Sequence, residues 1–447
     1  MRQDFSMRKC FLPLGQRQDE GRALRKKLPR SEQGKWEPAA DRPDPVKLLV
    51  EANRERLKYL LPIKWGRMAA SPFGFYRGAT HLMARDLAPL PTTGIGVQVC
   101  GDAHVRNLGA YAAADCHLVF DINDFDESVR GPWEWDLKRL VVSVVLAGRE
   151  AGDKDSECED AVLALVRFYR ESLRRFAQMK VVELERYEIR REMVRGIVRN
   201  VLAKAARVTI ENTVQKLTEP GKDGIPKIAN RPPLLTTVSA AVKAKVLGSL
   251  KEYRESLGPD HQQVLDGYTP AHVSFKVVGT GSVGTRDYII LLFGNGSADP
   301  LFLQVKEELK SCYAPYLPDY DSPHEGRRVA EGQHRMQTVC DPLLGWTSIE
   351  GNHYIVRQLR DHKASIDPEA LCGKALTEYA LVAGEVLAKA HARTGDAAVL
   401  SGYCGTKDVL DESMAAFAMA YADQTEKDHR LFVKAVRSGK IKAMRAL

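Results

Sequence analysis

The sequence predicts an α+β protein in two parts, a larger and mostly helical body and a smaller antiparallel β region. Three observations predict it. Apolar residues recur at helical spacing through much of the chain, most clearly in "WEWDLKRLVVSVVLAGREAG" and across 370–393 and 406–437. Between "GYTPAH" and "VRQL" the texture changes, with alternating β-branched residues broken by Gly and Asn-Gly turns. Two short apolar runs, "GVQVC" (96–100) and "HLVF" (117–120), each lead directly into acidic residues.

The elements follow in order. Residues 1–45 are polar, basic and proline-containing, and are expected to be a disordered lead-in. A large unit, 46–270, opens with helices over 46–61 and 73–88. The two apolar runs read as buried strands that deliver their acids at their C-terminal ends. Charge is rarely buried unless it is paired or holds a metal, so this clustering suits a divalent cation. A buried helix follows from Trp133, then charged helices over 157–216, a loop at "TEPGKDGIPKIANRPPLL" and a helix over 236–257. A small unit, 271–362, holds three antiparallel strands, a helix over 325–338 and a hairpin turning at Glu350-Gly351-Asn352. The remaining 363–447 are helical and are expected to pack on the large unit.

Composition narrows the function classes. The 447 residues are 44% hydrophobic and 28% charged, an ordinary globular balance. The longest apolar run, "LVVSVVLAG", is too short to span a bilayer, and the first twenty residues hold no apolar core of signal-peptide length. A cytoplasmic protein with no membrane partner is expected. The eight cysteines are scattered without a C-x-x-C pair, so neither a structural zinc site nor a disulfide framework is expected. The net charge of +8 permits an anionic partner, which a small-molecule phosphate satisfies as well as nucleic acid does. The basic helices near 174–207 interleave Glu183, Glu185, Glu188 and Glu192 and lack interspersed aromatics, so nucleic acid is not the expected partner.

The chemistry concentrates in four motifs. "GDAHVRN" places Asp102 and Asn107 five residues apart, with His104 between them. "VFDINDFDE" offers Asp121 and Asp124 as candidate metal ligands, which spacing does not separate. "GTGSVG" sets Gly279, Gly281 and Gly284 between two strands, and "LFLQVKEE" carries Lys306 near the end of a third. "WEWDLKRL" opens a helix with Asp136 inside it.

These motifs resemble those of protein kinases and aminoglycoside phosphotransferases. The resemblance implies a bilobal, protein kinase-like fold, with a helical large lobe and a small antiparallel β lobe. It implies ATP and magnesium as cofactors, with the glycines covering phosphates through backbone N–H groups and Lys306 holding the α/β-phosphates. Glu331, on the helix after Lys306, is the acid placed to pair with that lysine, and Glu325 is a weaker candidate. Asp102 would take the proton of an acceptor hydroxyl, Asn107 and Asp121 or Asp124 would hold magnesium, and Asp136 would anchor the catalytic loop. Two departures stand out. Cys100 replaces the usual His, and the glycine turn follows the catalytic loop, so the lobes would be circularly permuted. The chain is also similar to a bacterial domain-of-unknown-function family marked by "SPFGFYRG", "CGDAH", "NDFDE" and "WEWDLKRL" over about 45–435.

The expected activity is transfer of the ATP γ-phosphoryl group to a hydroxyl of an unidentified acceptor. Alternatives are a nucleotide-binding pseudokinase, a nucleotidyl transferase, and a two-metal phosphoesterase built on His104 and His353. Arg77 in "FYRG" suits a phosphate or carboxylate clamp or a structural ion pair, and His104 suits support of the catalytic loop. The charged stretch 357–363 falls where a hinge belongs, and His391 reads as a packed helix residue.

Overall fold

The computed structural model describes residues 12–113, 117–208, 210–221, 225–277, 279, 281–359 and 364–444. It is a mixed α+β structure whose sheets are all antiparallel. The strands are β1 (Gly96–Val99), β2 (Leu108–Ala112), β3 (Leu118–Ile122), β4 (Val129–Pro132), β5 (Thr218–Pro220), β6 (Pro226–Ile228) and β7 (Leu235–Thr237). They continue with β8 (Thr269–Lys276), β9 (Asp287–Phe293), β10 (Pro300–Glu307), β11 (Gly345–Ile349), β12 (Asn352–Gln358) and β13 (Ala364–Ser365).

The principal sheet has six strands in the order β11-β12-β10-β9-β8-β7. Its period-2 alternation sorts side chains onto two faces. Ile290, Leu292, Leu303 and Val305 join Val246, Tyr253 and Leu265 from the helices before β8. Ile289, Leu291 and Phe302 face the other way, with Ile228 and Leu235. The expected boundary at 271 therefore moves back to about 235. The edge strand β7 is three residues long, and the helices Ala240–Gly248, Leu250–Glu255 and Pro259–Asp266 bury residues against this sheet rather than against the larger body. A three-residue edge strand carries too little alternation to be read from sequence.

The larger body is built on the helix Trp133–Ala151, which packs with Asp155–Gln178, Lys374–Thr394 and Val409–Arg437 around one apolar core. Trp133 is fully buried and stacks on Tyr169 with ring centroids 6.0 Å apart. The two apolar runs form strands, as expected, but in separate sheets. β1 pairs with β4, and β3 pairs with β2. The charged stretch 157–216 breaks into separate helices, including Val181–Glu185 and Gly196–Ala205.

The lead-in is ordered over its described part, against the expectation of disorder through 45. Leu14–Ala23 is helical and lies on the helix Ala397–Cys404. Its basic residues explain this. Arg17 pairs with Asp396 at 2.9 Å, Arg30 donates to Cys404 O at 2.7 Å, and Arg25 donates to the carbonyls of Gly402 and Tyr403. Composition reads such arginines as solvated, whereas here they satisfy carbonyls at the end of a packed helix. No helix among the described residues is long and apolar enough to cross a membrane. The six described cysteines are free thiols.

Candidate functional site

A cleft of about 950 Å³ opens between the six-stranded sheet and the helical body. Asp102, Asp124 and Asp126 contribute to its walls, as do Gly281 and Ser282 of the glycine turn, Arg56 from the loop before the helix Leu61–Ala69, Lys64 from that helix and Arg77 from the helix Pro72–Gly78. Residues distant in sequence thus meet at one place.

The catalytic-loop motif is held from below. Asp136, fully buried on the first turn of Trp133–Ala151, accepts from Cys100 N at 2.7 Å and Gly101 N at 2.9 Å. Gly101 has φ +80°, and a Cβ there would lie 2.4 Å from Glu127 O, so the turn requires glycine. His391, on Lys374–Thr394, reaches Asp136 at 3.6 Å and bonds Tyr169 Oη at 2.8 Å, as a packed helix residue.

Asp102 stands on this platform at the cleft. Arg139, one helical turn beyond Asp136 and fully buried, donates from Nε to Asp102 Oδ1 at 2.6 Å. Burial raises the Asp102 carboxyl above its ordinary range, with Arg139 acting in the opposite direction. His104 Nε2 lies 3.7 Å from the second oxygen, Oδ2, while its ring packs edge-on against Phe73. Burial, with Arg77 and Arg139 nearby, pushes the imidazole well below its usual value, so His104 is neutral. Asn107 donates its amide to Asp102 O at 3.0 Å and fixes the loop from inside.

The second acidic motif separates its candidates. Asp121, on β3, is 2% exposed and pairs with Lys389, itself 1% exposed. It is committed to the core between β3 and Lys374–Thr394. Asp124 lies at the cleft beside Asp126. Burial and the Asp126 charge push the Asp124 carboxyl up to about 7. Asp126 sits below the usual range, because Lys306 and Asp124 offset the cost of its burial. Two neighbouring carboxylates, one of them raised to about 7 by burial and by the charge of the other, form a site that a divalent cation relieves.

Lys306 is 3% exposed on β10 and pairs with Asp126, 180 residues away. Its second partner is Glu308, on the same face of the strand two residues on, at 3.4 Å. Glu331 is not its partner. Val329, Ala330, Gln333 and Met336 form the buried face of Glu325–Met336, which turns Glu331 outward to Arg327 at 2.7 Å and Arg335 at 3.0 Å. Glu325 binds Arg328 at 2.6 Å instead. The same Arg328 donates to Ser128 O at 2.6 Å, Asp126 O at 2.9 Å and Leu309 O at 3.0 Å.

The glycine turn leans on the first helices. Gly279 and Gly284 take positive φ. Arg56 donates to Gly281 O at 2.7 Å and Val283 O at 2.9 Å, Lys64 to Gly281 O at 2.9 Å, and Arg67 to Gly279 O. Val278 and Thr280 lie outside the described residues, as do 360–363 of the expected hinge. Arg77 is half-buried at the cleft, and its Nε has no hydrogen-bond partner.

Sequence reasoning missed Asp126, Glu308, Arg139, Arg56 and Lys64. Glu308 had a signal, since period-2 alternation puts it on the face of Lys306. Lys64 had a weaker one, as a charge flanked in sequence by the apolar Ile63 and Trp65 within one short helix. The residues of a two-metal phosphoesterase do not assemble. His353 stacks on His324 with centroids 4.2 Å apart, His104 lies against Phe73, and no group of three or more His, Cys, Asp or Glu suited to a metal occurs among the described residues.

No curated protein and no solved structure matches the chain. Residues 56–435, which include every cleft residue discussed here from Arg56 to Asn352, match the family described as "Uncharacterized protein conserved in bacteria (DUF2252)". With that match covering most of its length, the chain belongs to this family of uncharacterised bacterial proteins.

Proposed function

We propose that this protein is an ATP-dependent phosphotransferase with a protein kinase-like, circularly permuted arrangement of lobes. The observation that carries the reading is the ion pair between Lys306 and Asp126. It joins the strand lysine to the second acidic motif, whose Asp124 and Asp126 line one cleft with Asp102 and with Gly281 of the glycine turn. A chance match of short motifs gives no reason for such convergence.

Magnesium suits the acidic pair. It keeps several of its waters and takes only one or two carboxylates, so Asp124 and Asp126 suffice without a third protein ligand. Bound there, it would supply neutralisation of phosphate charge. Asp121 leaves the list of ligands, being committed to Lys389, whereas Asn107 stays on it, because its bond to the loop backbone uses the amide N–H and leaves Oδ1 for a cation.

The protein's own groups then divide the work. Arg139 holds Asp102 by one oxygen and leaves Oδ2 for the acceptor hydroxyl. That carboxylate orients the hydroxyl and takes its proton as the new phosphorus–oxygen bond forms and the bond to the leaving diphosphate breaks. Lys306 neutralises Asp126 as a cation would, and once that carboxylate is otherwise neutralised its ammonium can turn to phosphate oxygens. Positioning and electrostatics dominate this chemistry, which accounts for a site made of carboxylates and fixed cations.

Thermal denaturation with nucleotides tests the reading. Magnesium–ATP at about 100 times its Kd should stabilise the fold by about 2.7 kcal/mol, and ATP with chelator should do much less. No response to any nucleotide overturns it. A magnesium-dependent response without phosphoryl transfer to any hydroxyl favours the pseudokinase alternative.

A further inference from the structure

We propose that Lys64, Arg56 and Arg77 form a phosphate-binding subsite in the cleft that the acidic pair also lines. The inference deepens the phosphotransferase reading and rests on it for the nature of the anion. It does not depend on Lys306, which its two carboxylates already occupy.

The argument begins with where these charges sit. Lys64 is 2% exposed on the helix Leu61–Ala69, among Ile63, Trp65 and Met68. A buried ammonium ordinarily meets a carboxylate, because desolvation of a lone charge is costly. Lys64 has no ion pair among the described residues. Its partner is Gly281 O at 2.9 Å, a neutral acceptor. Arg56 is also without an ion pair and spends its guanidinium on the carbonyls of Gly281 and Val283. Arg77, from the next helix, leaves a buried Nε without a partner. All three line the same cleft.

The acids of the cleft are near enough to be felt but do not pair with these cations. Asp102 and Asp124 both act on Arg77, and Glu127 and Asp102 both act on Lys64, yet no ion pair joins these groups. Cations and acids thus line one cleft without pairing. A ligand that satisfies both must carry anionic oxygens towards the cations and accept a divalent ion on its other side. A phosphoryl group does both. Its oxygens carry the negative charge that the carbonyls lack, so they make the stronger bonds to Lys64 and Arg56 and displace the Gly281 and Val283 carbonyls. The glycine turn is released from those cations by the same event.

That phosphoryl group comes from one of two sources, the polyphosphate of the nucleotide or a phosphate on the acceptor. The experiment separates them with the full chain and its Lys64→Met and Arg77→Gln variants. Binding of magnesium–tripolyphosphate and of magnesium–ATP is measured alongside the ligand-free melting temperature. Each variant should bind tripolyphosphate at least tenfold more weakly. Lys64→Met should melt at or above the temperature of the wild type, because it removes a buried charge that has no counter-ion. Parallel loss of ATP binding supports the nucleotide as source, while retained ATP binding with lost tripolyphosphate binding supports the acceptor. Wild-type binding of tripolyphosphate but not ATP, again lost in the variants, keeps the subsite and removes the nucleotide reading. Both ligands bound within twofold of wild type by both variants overturns the subsite and leaves the phosphotransferase reading standing. A lowered melting temperature of Lys64→Met with unchanged affinity also overturns it, marking Lys64 as a clamp on the turn. No binding of either ligand by the wild type overturns both.

Discussion

Replacing Asp121 by alanine separates structure from metal chemistry in the second acidic motif. The side chain is 2% exposed, and Lys389, its partner, is 1% exposed. Asp121→Ala therefore leaves an ammonium buried without a counter-ion, a change that costs about 3–5 kcal/mol. Unfolding entropy is about 2.1 cal/mol/K per residue, so a chain of 447 residues melting as one unit shifts by roughly 1 °C for each kcal/mol. The expected loss is about 3–5 °C, read by differential scanning calorimetry without ligands. Asp121→Ala combined with Lys389→Met should recover most of it, since an apolar pair replaces the stranded charge. Asp124→Ala should behave in the opposite way. That carboxyl is destabilised by burial and by Asp126, so its removal should leave the melting temperature unchanged or raised, while magnesium-dependent nucleotide stabilisation disappears. The reasoning is refuted if Asp121→Ala melts normally and loses the magnesium effect while Asp124→Ala keeps it.

Further outcomes follow from the same site. Asp124 is raised from about 4 to about 7, so the folded protein holds a proton there that the unfolded chain lacks, and its contribution to ligand-free stability is lost as pH rises from about 4 through 7. Magnesium requires the deprotonated form, so magnesium-dependent stabilisation should grow between pH 6 and 8, and Asp124→Asn should flatten both profiles in melting scans. Gly101→Ala should unfold the catalytic loop at ordinary temperatures, seen as lost protection of the 99–107 amides in hydrogen exchange, because its Cβ has no room beside Glu127 O. Asp136→Ala should cost about 2–6 kcal/mol in denaturant melts, since two buried N–H groups lose their acceptor. Asp102→Ala should abolish phosphoryl transfer, measured with radiolabelled ATP once an acceptor is found, and leave magnesium–ATP binding within a few-fold of wild type.

Some of this site is legible in the sequence and some is not, for definite reasons. Asp136 is legible because an acid in the first turn of an apolar helix must meet buried donors, and backbone amides of the adjoining loop are the nearest ones. The β8-β9-β10 meander and the β11-β12 hairpin are legible because alternation and Asn-Gly or Glu-Gly-Asn turns specify register. Glu331 misleads because helix rotation is set by the packing of Val329 and Met336, which motif order does not encode. Asp121 misleads because its partner lies 268 residues away, on a helix whose lysine reads as surface charge. The ordered lead-in is illegible for a similar reason, since whether Arg25 and Arg30 meet water or carbonyls depends on the end of a helix near residue 404.

Arg328 has a mechanical consequence. It is rooted in the helix beside the six-stranded sheet, yet it grips the backbone of Ser128 and Asp126 as well as Leu309. The acidic loop is thereby riveted to the sheet and travels with it as one piece. Widening the cleft at that corner means stripping several charge-assisted bonds from a buried guanidinium. At the opposite corner Arg56, Lys64 and Arg67 hold the glycine turn by the same kind of bond, from cation to backbone carbonyl. The mouth is therefore cross-tied at two corners, the acidic loop to the sheet through Arg328 and the glycine turn to residues 56–67 through Arg56, Lys64 and Arg67.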